Sequence, residues 1–286
     1  MIIFYFYKMN RTIFTLFLFF VCSATTIAQV DNKVKGDRNV TVKQTYIDPF
    51  SKIIVGEGFI VELIYNTKPS VEIETDDNLH EYIEFGVSGG VLTFKTTKQI
   101  TSSKKMNIKV NYADGLNSIE TIEKGEIRSL TSLELENTSL KTSGASKTYL
   151  NIRTGNFEFT AGEKSRSKLN INAKASTITL SDNSKVEALL NSKTAKIDMY
   201  QKASANFEGD VDELTLRTDL SSSFTGKELS TNNCMLIAEG SSSATVRVNG
   251  LLTMSISGSS EVYFYGMGKI ALEKFLDSAK LQKKEK

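Results

Sequence analysis

A small residue returns along the second half of the chain at an almost fixed interval. Serines stand at positions 146, 165, 184, 204, 222, 242, 260 and 278, spaced by 19, 19, 20, 18, 20, 18 and 18 residues. Serine is common enough here for such a series to arise by chance, so the flanks must decide. Six residues before these serines stand Leu140, Phe159, Ile178, Asp198, Leu216, Leu236, Met254 and Leu272, of which only Asp198 is polar. Four residues after them stand Leu150, Leu169, Ala188, Val246 and Phe264, with Glu208, Gly226 and Gln282 as exceptions. Apolar positions that travel with a repeat of about this length mark a solenoid, whose units bury their apolar face only by stacking on one another. At Ser204 the pattern slips by one, with Ile197, Met199 and Phe207 in the apolar places. A one-residue bulge or offset is expected in that coil.

Within each unit the alternation has period two. Leu252, Met254 and Ile256 alternate with Thr253, Ser255 and Ser257, and Val262 and Phe264 with Glu261, Tyr263 and Tyr265. That is strand patterning with one buried face. A leucine-rich repeat would need a spaced leucine series, an asparagine ladder and a helical return, which these units lack. A parallel β-helix needs only short strands and tight corners. Its corners stack at roughly 4.8 Å, where bulky side chains would crowd one another. Ser and Gly fit there, and hydroxyls can bond nearby backbone groups. The expected fold is therefore all-β, a single-stranded parallel β-helix of about 19 residues per turn in its second half.

Before residue 120 the spacing is less regular. "IIVGEGFIVELIY", "SVEIET", "GVLTFKT" and "MNIKVNY" read as strands, and "DDNLHEYIEF" as a short helical turn opened by Asp or Asn. This part is either the capping half of one solenoid or a small subdomain packed on it.

"SISGSSEVYFYG", followed by "KIALEKFLDSAKLQKK", together with the opening "FSKIIVGEGFIVELIYNTKPSVEIETDDNLHEYIEFGVSGGVLTFKT", resembles the exported Bacteroidetes-type family called putative auto-transporter adhesins, head GIN domain. The resemblance spans about residues 40 to 283. It departs from the family's small-residue corners at "TAGEKSRSK" and "YQKASANFE". It implies an all-β solenoid with a surface or envelope role.

The first 28 residues carry Lys8 and Arg11 ahead of an apolar run from Ile13 to Val21 and then small residues, the pattern of a signal peptide cut after Ala28. Met9 then serves as the start. The run is shorter than the roughly 20 residues a membrane span needs, so no transmembrane segment is expected after cleavage. Lipidation at Cys22 is the alternative, although Val21 is bulky for that position. Removing residues 1–28 lowers Lys+Arg from 35 to 33 against 33 Asp+Glu. A formally neutral mature chain argues against a nucleic-acid partner. The basic tail "KLQKKEK" reads as a solvated end.

Little of the sequence reads as catalytic chemistry. His80 is the only histidine, so a His-containing triad or a multi-histidine metal site cannot form within one chain. It reads as a surface residue on a bend. The pairs Asp76 with Asp77 and Asp210 with Asp212 read as charged turns. With Cys22 removed, Cys234 has no partner and is expected to be a small buried hydrophobe in "CMLIAEG". The corners lack both the Gly-Gly-x-Gly-x-Asp turns of calcium-binding rolls and a phosphate-cradling glycine loop. No catalytic residue, cofactor or metal is expected. A polysaccharide-active enzyme is the less favoured alternative, since near-constant intervals leave no room for the loops that wall a cleft.

The expected organisation is a signal peptide at 1–28, a flexible segment at 29–40 and a β-solenoid at 41–283, less regular over 41–120 and repeating over 121–283. The expected function is non-catalytic binding of a glycan or protein at the envelope or surface, in the periplasm, on the outer membrane or outside the cell. An envelope scaffold or stress-response accessory protein is the alternative. Tyr149, Tyr263 and Tyr265, outward on alternating strands, are the candidate binding face.

Overall fold

The computed structural model of the chain describes residues 32–285; the expected signal peptide, Cys22 and residues 29–31 lie outside the described residues. The chain forms a β-solenoid of about 9 turns with ~19 residues per turn, the fold that the repeat implies.

The first half builds one end of the stack. β1 (Lys33–Lys35), β2 (Val40–Tyr46), β3 (Lys52–Val55), β4 (Ile60–Tyr65) and β5 (Ser70–Asp76) lead into a 3-10 helix at Asp77–Tyr82. β6 (Ile83–Ser88), β7 (Val91–Thr96), β8 (Gln99–Ser102) and β9 (Met106–Tyr112) follow. Antiparallel pairs close this end: β2 with β5, β5 with β9, and β6 with β7. β1, inside the 29–40 segment, pairs in parallel with β8. β3 and β4 join the solenoid in parallel with β10 (Ser118–Thr121) and β11 (Glu126–Ser129). Buried apolar residues from Phe50 to Ala279 form one continuous core.

Asp76 departs from its expected role as a charged turn residue. It holds the N-cap position of the 3-10 helix, yet its side chain makes no capping bond there. It is fully buried and accepts backbone N–H bonds from Arg38 at 3.0 Å and Lys104 at 3.1 Å. Two N–H donors with no strand partner thus find an acceptor, and Gly36 packs so tightly against the carboxylate that a Cβ there would overlap it.

The repeating half runs through β12 (Leu133–Glu134), β13 (Asn137–Thr142), β14 (Lys147–Ala161), β15 (Arg166–Leu180), β16 (Lys185–Met199), β17 (Ser204–Thr218), β18 (Ser223–Ala238) and β19 (Ser243–Ile256). β20 (Glu261–Tyr265), β21 (Lys269–Phe275) and β22 (Lys280–Lys283) complete it. The long strands are bent in the middle. In β14, Thr148, Leu150, Ile152 and Thr154 point inward, and the inward set resumes at Phe157, Phe159 and Ala161. The three-residue step between Thr154 and Phe157 turns the strand so that both arms face one core.

Leu140, Phe159, Ile178, Ile197, Leu216, Leu236 and Met254 stand in register on successive coils. None is more than 1% exposed. The column takes Ile197 in place of Asp198. Leu272 continues it but is 48% exposed, because no coil stacks on the last one.

The anchor series needs two corrections. The fully enclosed corner position is Ser146, Ser165, Ser184, Ala203, Ser222, Ser242, Ser260 and Ala279, whereas Ser204 and Ser278 sit one residue outside it and are exposed. The corner selects a small side chain, and alanine satisfies that as well as serine. Nor does the coil at Ser204 bulge, since β16 and β17 pair from Lys185–Ser204 onward without a shift. The extra residue lies one coil later, in β18 beyond Thr225, where Asn206 pairs with Thr225 but Glu208 pairs with Glu228.

Most corner hydroxyls bond nearby backbone or side-chain groups, although the buried Ser184 Oγ has no partner. Ser165 donates to the Gly162 carbonyl and Ser260 to the Ser257 carbonyl, both at 2.8 Å. Hydroxyls also link one coil to the next, from Thr121 to Ser146 and from Thr142 to Ser165, each at 3.2 Å. Each turn passes through a left-handed residue: Glu163, Asp182, Gln201, Leu220 and Asp277 at φ 55 to 62°, but Gly144, Gly240 and Gly258 at φ 68 to 72°. The last coil leaves a sheet edge. Lys269, Glu273, Lys274, Lys280 and Lys283 along it are charges of the kind that discourage a further strand from adding.

Candidate binding face

With the inward positions filled by core, the alternate positions of the first arm of each coil form the outer face. Tyr149, Lys168, Glu187, Asn206, Thr225, Thr245 and Tyr263 follow one another in register on β14 to β20. Tyr149 and Tyr263 therefore share one column, separated by six rungs of about 4.8 Å, or roughly 29 Å. Tyr265 lies two residues beyond Tyr263 on the same face. The tyrosines do not form a continuous aromatic strip, because polar side chains fill the rungs between them.

Each ring is held by a cation or carboxylate. Arg128 lies over Tyr149 at 5.6 Å from the ring centre, Lys227 over Tyr265 at 5.4 Å and Lys284 over Tyr263 at 5.2 Å. The Tyr263 hydroxyl donates to Glu261 at 2.9 Å, and that hydrogen bond to a carboxylate raises the tyrosine's pKa above its usual value. Glu261 is lowered in turn, first by its bond from Lys280.

Two shallow hollows flank the Tyr149 column. One, of about 400 Å³, lies between that column and the outer residues Arg166, Lys185 and Ser204. The other, of about 490 Å³, lies on the opposite side, against Asn151, Asn170, Leu189 and Glu208. Lys168 and Glu187, on the ridge between them, pair at 3.0 Å, and the bond to that carboxylate raises the lysine's pKa. Sequence reading found Tyr149 but not the hollows or their cations. The available signal was the 19-residue spacing of Lys147, Arg166 and Lys185, the same period as the core.

The titratable groups elsewhere do not converge. His80, half-buried on the 3-10 helix, lies 3.0 Å from the Thr41 hydroxyl, which also donates to Asp77 at 3.0 Å. Desolvation lowers the histidine's pKa. Asp77 thus bonds the hydroxyl and not the imidazole, the reverse of a charge-relay order. Asp210 and Asp212 are exposed. Cys234 is 1% exposed and unpaired, and burial pushes its pKa up to about 12. Among the described residues no group of three or more His, Cys, Asp or Glu is placed to hold a metal ion, and no helix is long and apolar enough to cross a membrane.

A stack of bent strands with an uninterrupted outer face defines a β-solenoid. Among proteins of that class, the family model described as "Putative auto-transporter adhesin, head GIN domain" matches residues 49–189 and 158–268. The chain belongs to that family. The overlapping matches on one solenoid follow from its repeating coils.

Solved structures share the architecture. A protein from Parabacteroides distasonis titled a putative lipid binding protein aligns with a TM-score of 0.61 at 14% identity, over 88% of this chain and 100% of its own. A putative adhesin from Parabacteroides merdae aligns at 0.58 and 17%, over 88% and 99%. Another from Parabacteroides distasonis aligns at 0.59 and 17%, over 87% and 99%. At these identities the likeness is one of fold. A comparison with curated proteins found no match.

Proposed function

We propose that this protein is an exported, non-catalytic adhesin that binds a macromolecule, a glycan or another protein, through the outer face of its first strand arms. The observation that carries this reading is the face itself. Strands paired into the stack hold Tyr149, Tyr263 and Tyr265 on one side of the solenoid, with polar rungs and two shallow hollows beside Tyr149. Tyrosines fixed on strands supply contact area at little cost in side-chain entropy. A long, shallow surface suits many weak contacts along an extended partner better than the enclosure of a small substrate. The family's description as an adhesin head supports the same reading.

The test has two parts. On intact cells expressing the full chain, external protease should cleave it, as an adhesin requires; protection would favour a periplasmic accessory protein. Purified protein should attach to cells or to glycan- and protein-coated surfaces, and the triple variant Tyr149→Ser, Tyr263→Ser, Tyr265→Ser should lose attachment while keeping its melting midpoint within a few degrees. A triple variant that attaches like the parent overturns the role of this face.

A further inference from the structure

Outer columns elsewhere on the solenoid place opposite charges on neighbouring strands, as Lys52 with Glu120 at 2.6 Å and Lys109 with Glu72 at 3.0 Å. The column beside the corner ends in such a pair, Glu261 with Lys280 at 2.9 Å, but breaks this habit on its first coils. Lys147, Arg166 and Lys185 stand directly opposite one another on β14, β15 and β16. Like charges on facing strand positions destabilise a sheet. Lys147 is relieved in part by Glu126 at 3.8 Å, although that carboxylate also takes the Arg128 side chain. Arg166 and Lys185 have no carboxylate within ion-pair distance among the described residues. Both line the hollow of about 400 Å³ whose far wall is Tyr149, Lys168 and Glu187. Because Lys168 is neutralised by Glu187, the two unpaired cations set the charge of the hollow.

We infer that this hollow and its neighbour are the binding site of an anionic glycan, with Arg166 and Lys185 meeting carboxylate or sulfate groups and Tyr149 packing against a sugar ring. The inference rests on the adhesin reading and adds the ligand class and the place. Three features select a glycan among polyanions. The exposed amides Asn151, Asn170 and Asn206 line the adjoining hollow and offer both donors and acceptors to sugar hydroxyls. The cationic column gives way to Ser204, Ser223 and Ser243, too short a basic stripe for a nucleic-acid backbone. The backbone of β15 and β16 is paired on both sides, so a peptide cannot add as a strand.

The test uses the full mature chain and defined probes at 50 mM and 300 mM salt: a galacturonate octamer, its carboxyl-reduced neutral form, a chondroitin sulfate oligomer, polyglutamate and a single-stranded oligonucleotide of matched charge. The acidic sugars should bind at least about tenfold more tightly than the neutral octamer and than polyglutamate or the oligonucleotide, and weaken at high salt. Arg166→Gln with Lys185→Gln should weaken acidic-sugar binding about tenfold, and Tyr149→Ala about fivefold. Lys174→Gln, at the bend of β15 and outside both hollows, should bind like the parent. The double glutamine variant should melt at or above the parent temperature because the like-charge column is relieved, so loss of binding cannot be put down to unfolding. Equal binding of the acidic and neutral octamers, or an unchanged double variant, overturns the inference. Equal or tighter binding of polyglutamate or the oligonucleotide overturns the glycan assignment. Should the parent attach to cells, the tyrosine triple variant fail and the double glutamine variant attach normally, this site is wrong while the adhesin reading stands.

Discussion

The ring of Phe224 stacks on that of Phe207, with centroids 5.7 Å apart and planes 28° from parallel, although the two side chains belong to different columns of consecutive coils. Phe207 continues the column of Leu150, Leu169 and Ala188. The next coil would continue it with Gly226, which has no side chain to offer. Phe224, two residues earlier, reaches across instead, and a Cβ on Gly226 would lie 2.6 Å from its ring. The glycine and the phenylalanine therefore fill one space between them. Phe224→Ala should destabilise by about 3 to 5 kcal/mol in a denaturant melt. Adding Gly226→Val should recover part of that loss, whereas Gly226→Val alone should cost about 1 to 3 kcal/mol through overpacking.

The continuous apolar column gives a simpler expectation. Leu236 is fully buried between Leu216 and Met254. Leu236→Ala should cost about 2 to 5 kcal/mol, the range for a buried truncation that cannot fully relax. A change below about 0.5 kcal/mol would contradict the stacked core.

Most of that core was legible because strand alternation and a 19-residue period are both written in side-chain polarity. Leu140, Phe159 and Ile178 could be placed in one column by counting alone. Counting on serine misplaced two anchors, because the corner selects for size and Ala203 and Ala279 meet that requirement. The antiparallel pairing of β2 with β5 left no trace, since Val71 and Ile73 alternate in the same way whether the neighbouring strand runs up or down. The face was half legible. Tyr149 stood out as an aromatic on an outward position, but the cations beside it belong to other coils and gain their meaning only from register.

Cys234 makes stability depend on alkaline pH. Its pKa is raised to about 12 by burial, from an ordinary value of 9.0. The folded thiol stays protonated where the unfolded one ionises, so its contribution is complete below about pH 9 and is lost as pH rises toward 12. In that window stability should fall by about 1.4 kcal/mol per pH unit from this group. Denaturant melts of the parent and of Cys234→Ala at pH 8 and pH 10.5 should show a shallower pH dependence in the variant. A thiol reagent at pH 8 should label the native protein far more slowly than the unfolded chain.

Asp76 offers a polar counterpart. Asp76→Ala removes the acceptor for the backbone N–H groups of Arg38 and Lys104 inside the end cap. Two donors without a partner in a buried site should together cost about 2 to 4 kcal/mol. Asp76→Asn keeps one carbonyl acceptor and should lose less. Hydrogen exchange should quicken at both amides in the alanine variant, and unchanged exchange there would argue against the clasp.

Gly240 and Leu220 occupy the same left-handed corner position one coil apart, yet they should respond to substitution with opposite signs. Corners that follow a 19-residue step stand farther from the coil before them: the amide of Asn183 reaches the Glu163 carbonyl at 2.8 Å, and that of Ser221 reaches Gln201 at 2.8 Å. The steps to Gly240 and Gly258 are 20 and 18 residues. There the equivalent bonds, Ser241 to Leu220 and Ser259 to Gly240, shorten to 2.6 Å. The closer approach leaves no room for a Cβ, which on Gly240 would meet the backbone of Leu220 at 2.9 Å. Gly240→Ala adds that clash to the left-handed penalty at φ 70° and should destabilise by about 2 to 4 kcal/mol. Leu220 is 52% exposed at φ 59°. Leu220→Asn gives up the apolar contact of the covered half of that side chain but tolerates this backbone better, and should leave stability unchanged or raise it by up to about 1 kcal/mol. Thermal melts of the two variants beside the parent decide the matter, and a Gly240→Ala protein as stable as the parent would show that coil spacing does not govern where the corners need glycine.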